Sequence, residues 1–249
     1  MQPAYSSDAS RSPDTASRHF IRLRPEHSTK LFFLRTIAAQ IHALSALVAF
    51  LGILILARLT ADHTISHFVT TALFGVCCVI LFLSSALTHF LDDGFHLSPE
   101  LARWLENTDK FSIYLVIAST YTAVLHPILP ERTQYVILGL IWTLALTGCL
   151  YTIFIARLPR WMQSRIVYTG QFILLGWTAL LCIDQIVAAL TGPQLALILG
   201  GGATYSIGAV GYAFKWPKLG RYFGYHEIWH LSVLGGCLMF YILIVSLYR

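Results

Sequence analysis

Two histidines four residues apart, His226 and His230, stand at the head of an apolar block in the string His226-Glu227-Ile228-Trp229-His230. On a helix, side chains at i and i+4 project from one face a turn apart, so both ring nitrogens can reach a single ion at about 2.0–2.1 Å. A third imidazole, His89, closes the polar run Ser84-Ser85-Ala86-Leu87-Thr88-His89. Three histidines around a zinc ion (Zn2+) leave a fourth position for water, the arrangement of a catalytic rather than a structural zinc. Zinc lowers the pKa of such a water to about 7 and polarises a carbonyl, so hydrolysis becomes possible at neutral pH. Asp109 is the candidate to orient that water or accept its proton. Ser85, one turn before His89, is the candidate to hydrogen-bond the water or an oxyanion. The competing reading of Asp109 is a helix N-cap.

The elements that must position these groups follow from composition. The chain has 249 residues, 56% hydrophobic and 12% charged, against about 25% charged in a soluble domain. Its mean hydropathy is +0.66. These values exclude a globular cytosolic enzyme, a disordered chain, a coiled coil and collagen. The hydrophobic residues fall into seven blocks, each long enough to cross a hydrocarbon core of about 30 Å at 1.5 Å per residue. The expected fold is all-α, a polytopic seven-transmembrane helix bundle. The blocks predict helices at about 36–58, 67–90, 110–129, 134–156, 165–190, 194–214 and 227–247. Pro99, Pro127, Pro130, Pro159, Pro193 and Pro217 sit at or near block edges, where a missing N–H costs least. Gly200, Gly201, Gly202, Gly208 and Gly211 give the sixth block a small-residue surface for close packing.

Residues 1–30 are rich in Ser, Arg, Pro and His and hold no apolar run, so they read as a flexible cytoplasmic tail ahead of a membrane domain at 31–249. No secretory signal is expected, since the first apolar block begins at Leu31. A net charge of +5 would suggest nucleic acid in a soluble protein. Here the basic residues lie between apolar blocks, so topology explains them and no nucleic-acid partner is expected. With the N-terminus inside, fourteen Lys and Arg fall on the inner side and only Arg58, Arg132 and Arg249 on the other. The positive-inside rule therefore places the N-terminus in the cytoplasm and the C-terminus outside, in a multi-pass protein of the cell (inner) membrane.

That topology brings His89, Asp109, His226 and His230 to one membrane depth on the inner side. Ionisable groups at membrane depth are functional candidates by default. The string His226-Glu227-x-x-His230 also matches the zincin signature, but no further ligand follows it in a soluble lobe. Haem wants axial ligands facing each other across the ring, not one turn apart. His42 and Gln40, His126 and Asp184 have no partner visible in the sequence, and His63 and His67 read as outer-loop residues. Cys77, Cys78, Cys149, Cys182 and Cys237 lie inside apolar blocks without a CxxC, as buried small hydrophobes.

Ser85-x-x-x-His89, Asp109 and His226-x-x-x-His230 together resemble the progestin and adipoQ receptor / hemolysin III family, in its compact bacterial branch. The run from Asp109 to Tyr114, the triplet Thr120-Tyr121-Thr122 and the helix start His226-Glu-Ile-Trp-His-Leu231 support the likeness, which covers about residues 30–249. The resemblance implies seven helices with inverted receptor topology and a zinc on His89, His226 and His230, with Asp109 and Ser85 near its water. Because the wider superfamily includes alkaline ceramidases, it also implies lipid amide hydrolysis. One departure is Ser119-Thr-Tyr-Thr-Ala123 where that branch reads Gly-Thr-Tyr-Thr-Pro; without the Pro, the third helix should run straight. The expected function is a zinc-dependent hydrolase of a lipid amide or ester, with membrane lipids as its surroundings and a lipid as substrate or ligand. The alternatives are a receptor or sensor with a structural zinc, and a hemolysin-type channel or cytolysin.

Overall fold

The computed structural model describes residues 21–23, 37–220 and 223–249. The rest of the stretch read as a flexible tail lies outside the described residues. So do Arg11, Arg18, Arg24, Lys30, Arg35 and Arg221 of the basic count. In chain order the elements are β1 (Ile21–Leu23), α1 (Ile37–Leu59), α2 (Ile65–Gly94), β2 (Phe95–Leu97) and α3 (Pro99–Leu125). There follow α4 (Glu131–Phe154), α5 (Arg165–Gly176), α6 (Ile183–Ala189), α7 (Gly192–Phe214) and α8 (Tyr225–Leu247). A 3₁₀ stretch, Trp177–Cys182, joins α5 to α6. β1 pairs antiparallel with β2, Arg22 opposite His96, and so ties the N-terminal side of the chain to the α2–α3 connection.

Six helical stretches are long and apolar enough to cross a membrane: α1, α2, α4, the α5–α6 unit, α7 and α8. Their outer faces are apolar, as Leu44, Leu47, Val48, Leu51 and Leu54 on α1 illustrate, all at least half exposed. A ring of exposed leucines is at home in hydrocarbon, where it costs nothing. Apart from the short β1–β2 ladder the described elements are helical, and the chain is a multi-pass integral membrane protein of the all-α class.

α3 departs from the expected boundaries and matters most to the site. It begins at Pro99, not at 110, because Ser98 caps it: the Leu101 N–H donates to Ser98 Oγ at 3.3 Å and Pro99 occupies the first turn. The charged run from Glu100 to Lys110 forms its first turns instead of a loop. Asp109 therefore lies about 15 Å inside the helix, at 1.5 Å per residue, and does not cap it. From Ala118 to Leu125 every residue of α3 is buried, the signature of a central helix surrounded by others. It runs unbroken through Ser119–Ala123, as the missing Pro there led one to expect.

The fifth block is expected as one helix over about 165–190 and is instead broken at Trp177–Cys182. Tyr121 of α3 makes the break tolerable. Its hydroxyl donates to the Gly176 carbonyl and accepts the Ala179 N–H at 2.8 Å, so the backbone groups involved are satisfied within the apolar layer. α7 and α8 approach closely at three of the five glycines singled out from the sequence, Gly200, Gly201 and Gly208, whereas Gly202 faces open space and Gly211 the Trp216 carbonyl. A methyl placed on Gly201 would come 2.8 Å from the Phe240 ring, and one on Gly208 would collide with Ser232.

Candidate metal centre

The site is assembled at the end of the bundle where α1 starts, α2 ends and α8 starts. The polar face near the end of α2 is turned onto α3. Ser84 Oγ and Ser112 Oγ lie 3.2 Å apart, Ser112 donates to the Asp109 carbonyl at 2.6 Å, and Thr88 donates to the Leu105 carbonyl at 3.3 Å. Ser85, buried one turn before His89, reaches the Asp109 carboxyl with its hydroxyl. No ion pair among the described residues involves Asp109, while the adjacent Lys110 is held by Glu106 at 2.6 Å.

His89 projects from α2 towards α8, and its Nε2 lies 2.9 Å from the Nε2 of His230. Two nitrogens on one tetrahedral ion at about 2.1 Å each would stand about 3.4 Å apart, so about half an ångström separates this pair from a shared ion. The third member of the tightest group is His42 of α1. Ligand nitrogens of His42, His89 and His230 all lie within 4.8 Å of one another. His42 is 2% exposed, stands edge-on to His230 with ring centroids 4.4 Å apart, and has no hydrogen-bond partner for either ring nitrogen. A buried imidazole with two orphaned nitrogens is costly unless something meets them. His226 completes a four-histidine cluster, its ring 4.6 Å from His230 and 5.1 Å from His89. This donor set, four imidazoles gathered at one end of the bundle, suits zinc and related transition metals, and His42, His89 and His230 among them can hold a metal ion.

The sequence thus leads to His89, His226 and His230, which the fold gathers, and to Asp109 and Ser85, which it pairs with each other. It does not lead to His42. His42 lies near the start of the first apolar block, but no spacing in the sequence ties it to the other histidines. The zincin-like Glu227 has another task, because its Oε2 accepts the Gly224 N–H at 2.7 Å at the head of α8. A carboxylate there complements the helix N-terminus.

Beside the cluster lies an apolar cavity of about 150 Å³. Leu81, two turns from His89 on α2, and Trp229, next to His230, belong to its wall, together with Val116, Tyr121, Phe172 and Phe240. The wall extends to Trp177, Leu180 and Leu199, which are also exposed on the outside of the bundle. The cavity therefore reaches the apolar outer surface between the 3₁₀ stretch and α7.

The family described as haemolysin-III related matches residues 35–241. The chain is 34% identical to the protein named hemolysin-3 of Bacillus cereus over 209 residues, 81% of this chain and 89% of that protein. It is 31% identical to the hemolysin-3 homolog of Bacillus subtilis (strain 168) over 179 residues, 70% and 77% of the two chains.

Proposed function

We propose that this chain, which belongs to the haemolysin-III related family, is a zinc-dependent hydrolase of a lipid amide or ester. The observation that carries the reading is a group of close imidazole nitrogens near an apolar cavity, with buried Ser85 one turn before His89 and the half-buried Asp109 of α3 beside it. Zinc on three imidazoles would supply a Lewis acid for the substrate carbonyl and an activated water. In this reading the ligands are His89, His226 and His230, since His226 and His230 ride one turn apart on the rigid frame of α8. His42 then packs behind them against His230. Asp109 holds and orients the attacking water and takes its proton, Ser85 keeps the Asp109 carboxyl in place, and the cavity takes an acyl chain. Its apolar wall supports a lipid chain as occupant, whereas a conducting path needs polar residues along several helices.

Seven spanning helices, with α3 as the seventh, an inner N-terminus and an outer C-terminus belong to the same proposal. The basic residue count supports that orientation. A second reading, a sensor with a structural zinc, draws on His42: four imidazoles around one ion would close the position that catalysis needs open. The test is to incubate the purified protein with a membrane lipid extract, with and without a chelator, and follow released fatty acid. Chelator-sensitive release is expected, and no release from any amide or ester lipid in the extract would overturn the hydrolase.

A further inference from the structure

The opposite end of the bundle holds a second group of histidines. His63 lies in the turn before α2, His67 in the first turn of α2, His126 at the C-terminal cap of α3, and Tyr248 just past α8. The rise along α2 from His67 to His89 is about 33 Å at 1.5 Å per residue, so the two groups sit at opposite faces of the protein. Ring centroids are 5.7 Å apart for His63 and His67 and 5.0 Å for His67 and His126, each pair near perpendicular. Tyr248 stands edge-on to His63 and His67 at 5.2 and 5.5 Å. The rings are more widely spaced than the closest pairs of the first cluster, where His42 and His89 stand 4.4 and 4.7 Å from His230.

Two details go beyond ring packing. Thr64 Oγ1 lies 2.8 Å from His67 Nδ1, so that nitrogen is engaged and a metal bond from this ring would come from Nε2. A hydrogen bond to the far ring nitrogen is the usual support of a metal-bound histidine. His126 Nδ1 is buried with no hydrogen-bond partner, which is costly unless a further group meets it. The cap that carries His126 is itself fixed, because Gln134 Nε2 donates to its carbonyl at 2.9 Å. His63 is exposed, with its ring edge-on to His67 and Tyr248. The nearby Asp62 faces Arg58 at 3.7 Å, which leaves imidazoles as the donors.

We propose that His63, His67 and His126 form a second metal site, for a borderline divalent transition ion, with the Tyr248 ring as its wall. Imidazole donors favour Zn2+, Co2+ and Ni2+ over Mg2+ and Ca2+. The site is independent of the hydrolase reading, and its test is a difference that does not need the first site to be filled.

The full chain in detergent is equilibrated with excess Co2+, desalted and analysed for bound metal, alongside His67→Gln, His126→Ala and His230→Ala. The wild type should hold about one Co2+ per chain more than His67→Gln or His126→Ala, and His230→Ala should keep that equivalent. Equal metal content in the wild type and both outer variants overturns the site. Metal-free thermal unfolding checks that the variants fold, and Co2+ should raise the melting temperature of His230→Ala, in which the first site has lost the imidazole common to both of its candidate ligand sets, but not that of the double variant His230→Ala/His67→Gln. Should an outer variant not fold, cobalt-edge X-ray absorption on His230→Ala decides: imidazole scattering is expected, and its absence overturns the site.

Discussion

Asp109 and Ser85 meet inside the bundle, on neighbouring helices, with no cation paired to the carboxylate among the described residues. Because Ser98, not Asp109, caps α3, replacing the carboxylate cannot act through a lost cap. Asp109→Asn keeps the shape and removes the charge, so hydrolysis is expected to fall about 100-fold or more, the scale of a lost general base, at near-normal zinc content. Unchanged turnover of a verified substrate would move the preference to the structural-zinc reading. A second expectation separates the histidines. His226→Ala should release most of the zinc and His42→Ala little, as metal analysis of the purified variants will show; the reverse result makes His42 the third ligand. The i,i+4 pair and its sharing of one end of the bundle with His89 were legible because helical period and membrane thickness translate sequence distance directly into position. His42 was not. Its partners come from α2 and α8, and a single imidazole carries no spacing that points to them.

Among the elements, the six apolar helices were legible from length and hydropathy alone, with ends within a few residues of those expected. The two failures have different origins. The start of α3 was hidden because its first turns are charged, and an apolar window cannot see a helix that extends beyond the hydrocarbon. The break in the fifth span was hidden because it depends on Tyr121, some 55 positions away in sequence. Tyr121→Phe removes both bonds that patch that break. The freed N–H and C=O each carry a penalty of about 1–3 kcal/mol when buried and unpaired. The variant is therefore expected to lose stability on that scale, read as a lower melting temperature in detergent, while zinc content stays the same. A melting temperature equal to the wild type would mean that the backbone re-pairs without the hydroxyl.

For the molecule as a whole, the proposed orientation makes a prediction about the C-terminus. A reporter fused after Arg249 that works only outside the cytoplasm should be active, and a well-expressed but inactive fusion would reverse the bundle. The side opening of the cavity between the 3₁₀ stretch and α7 matters whichever way the bundle faces. Anything entering there comes from the bilayer and not from water, so the concentration that governs its arrival is a mole fraction in a leaflet. Adding inert lipid at constant bulk substrate should then slow the reaction as effectively as removing substrate, and two substrates of equal headgroup would be told apart by how each partitions and diffuses in the plane. The membrane becomes the second reagent.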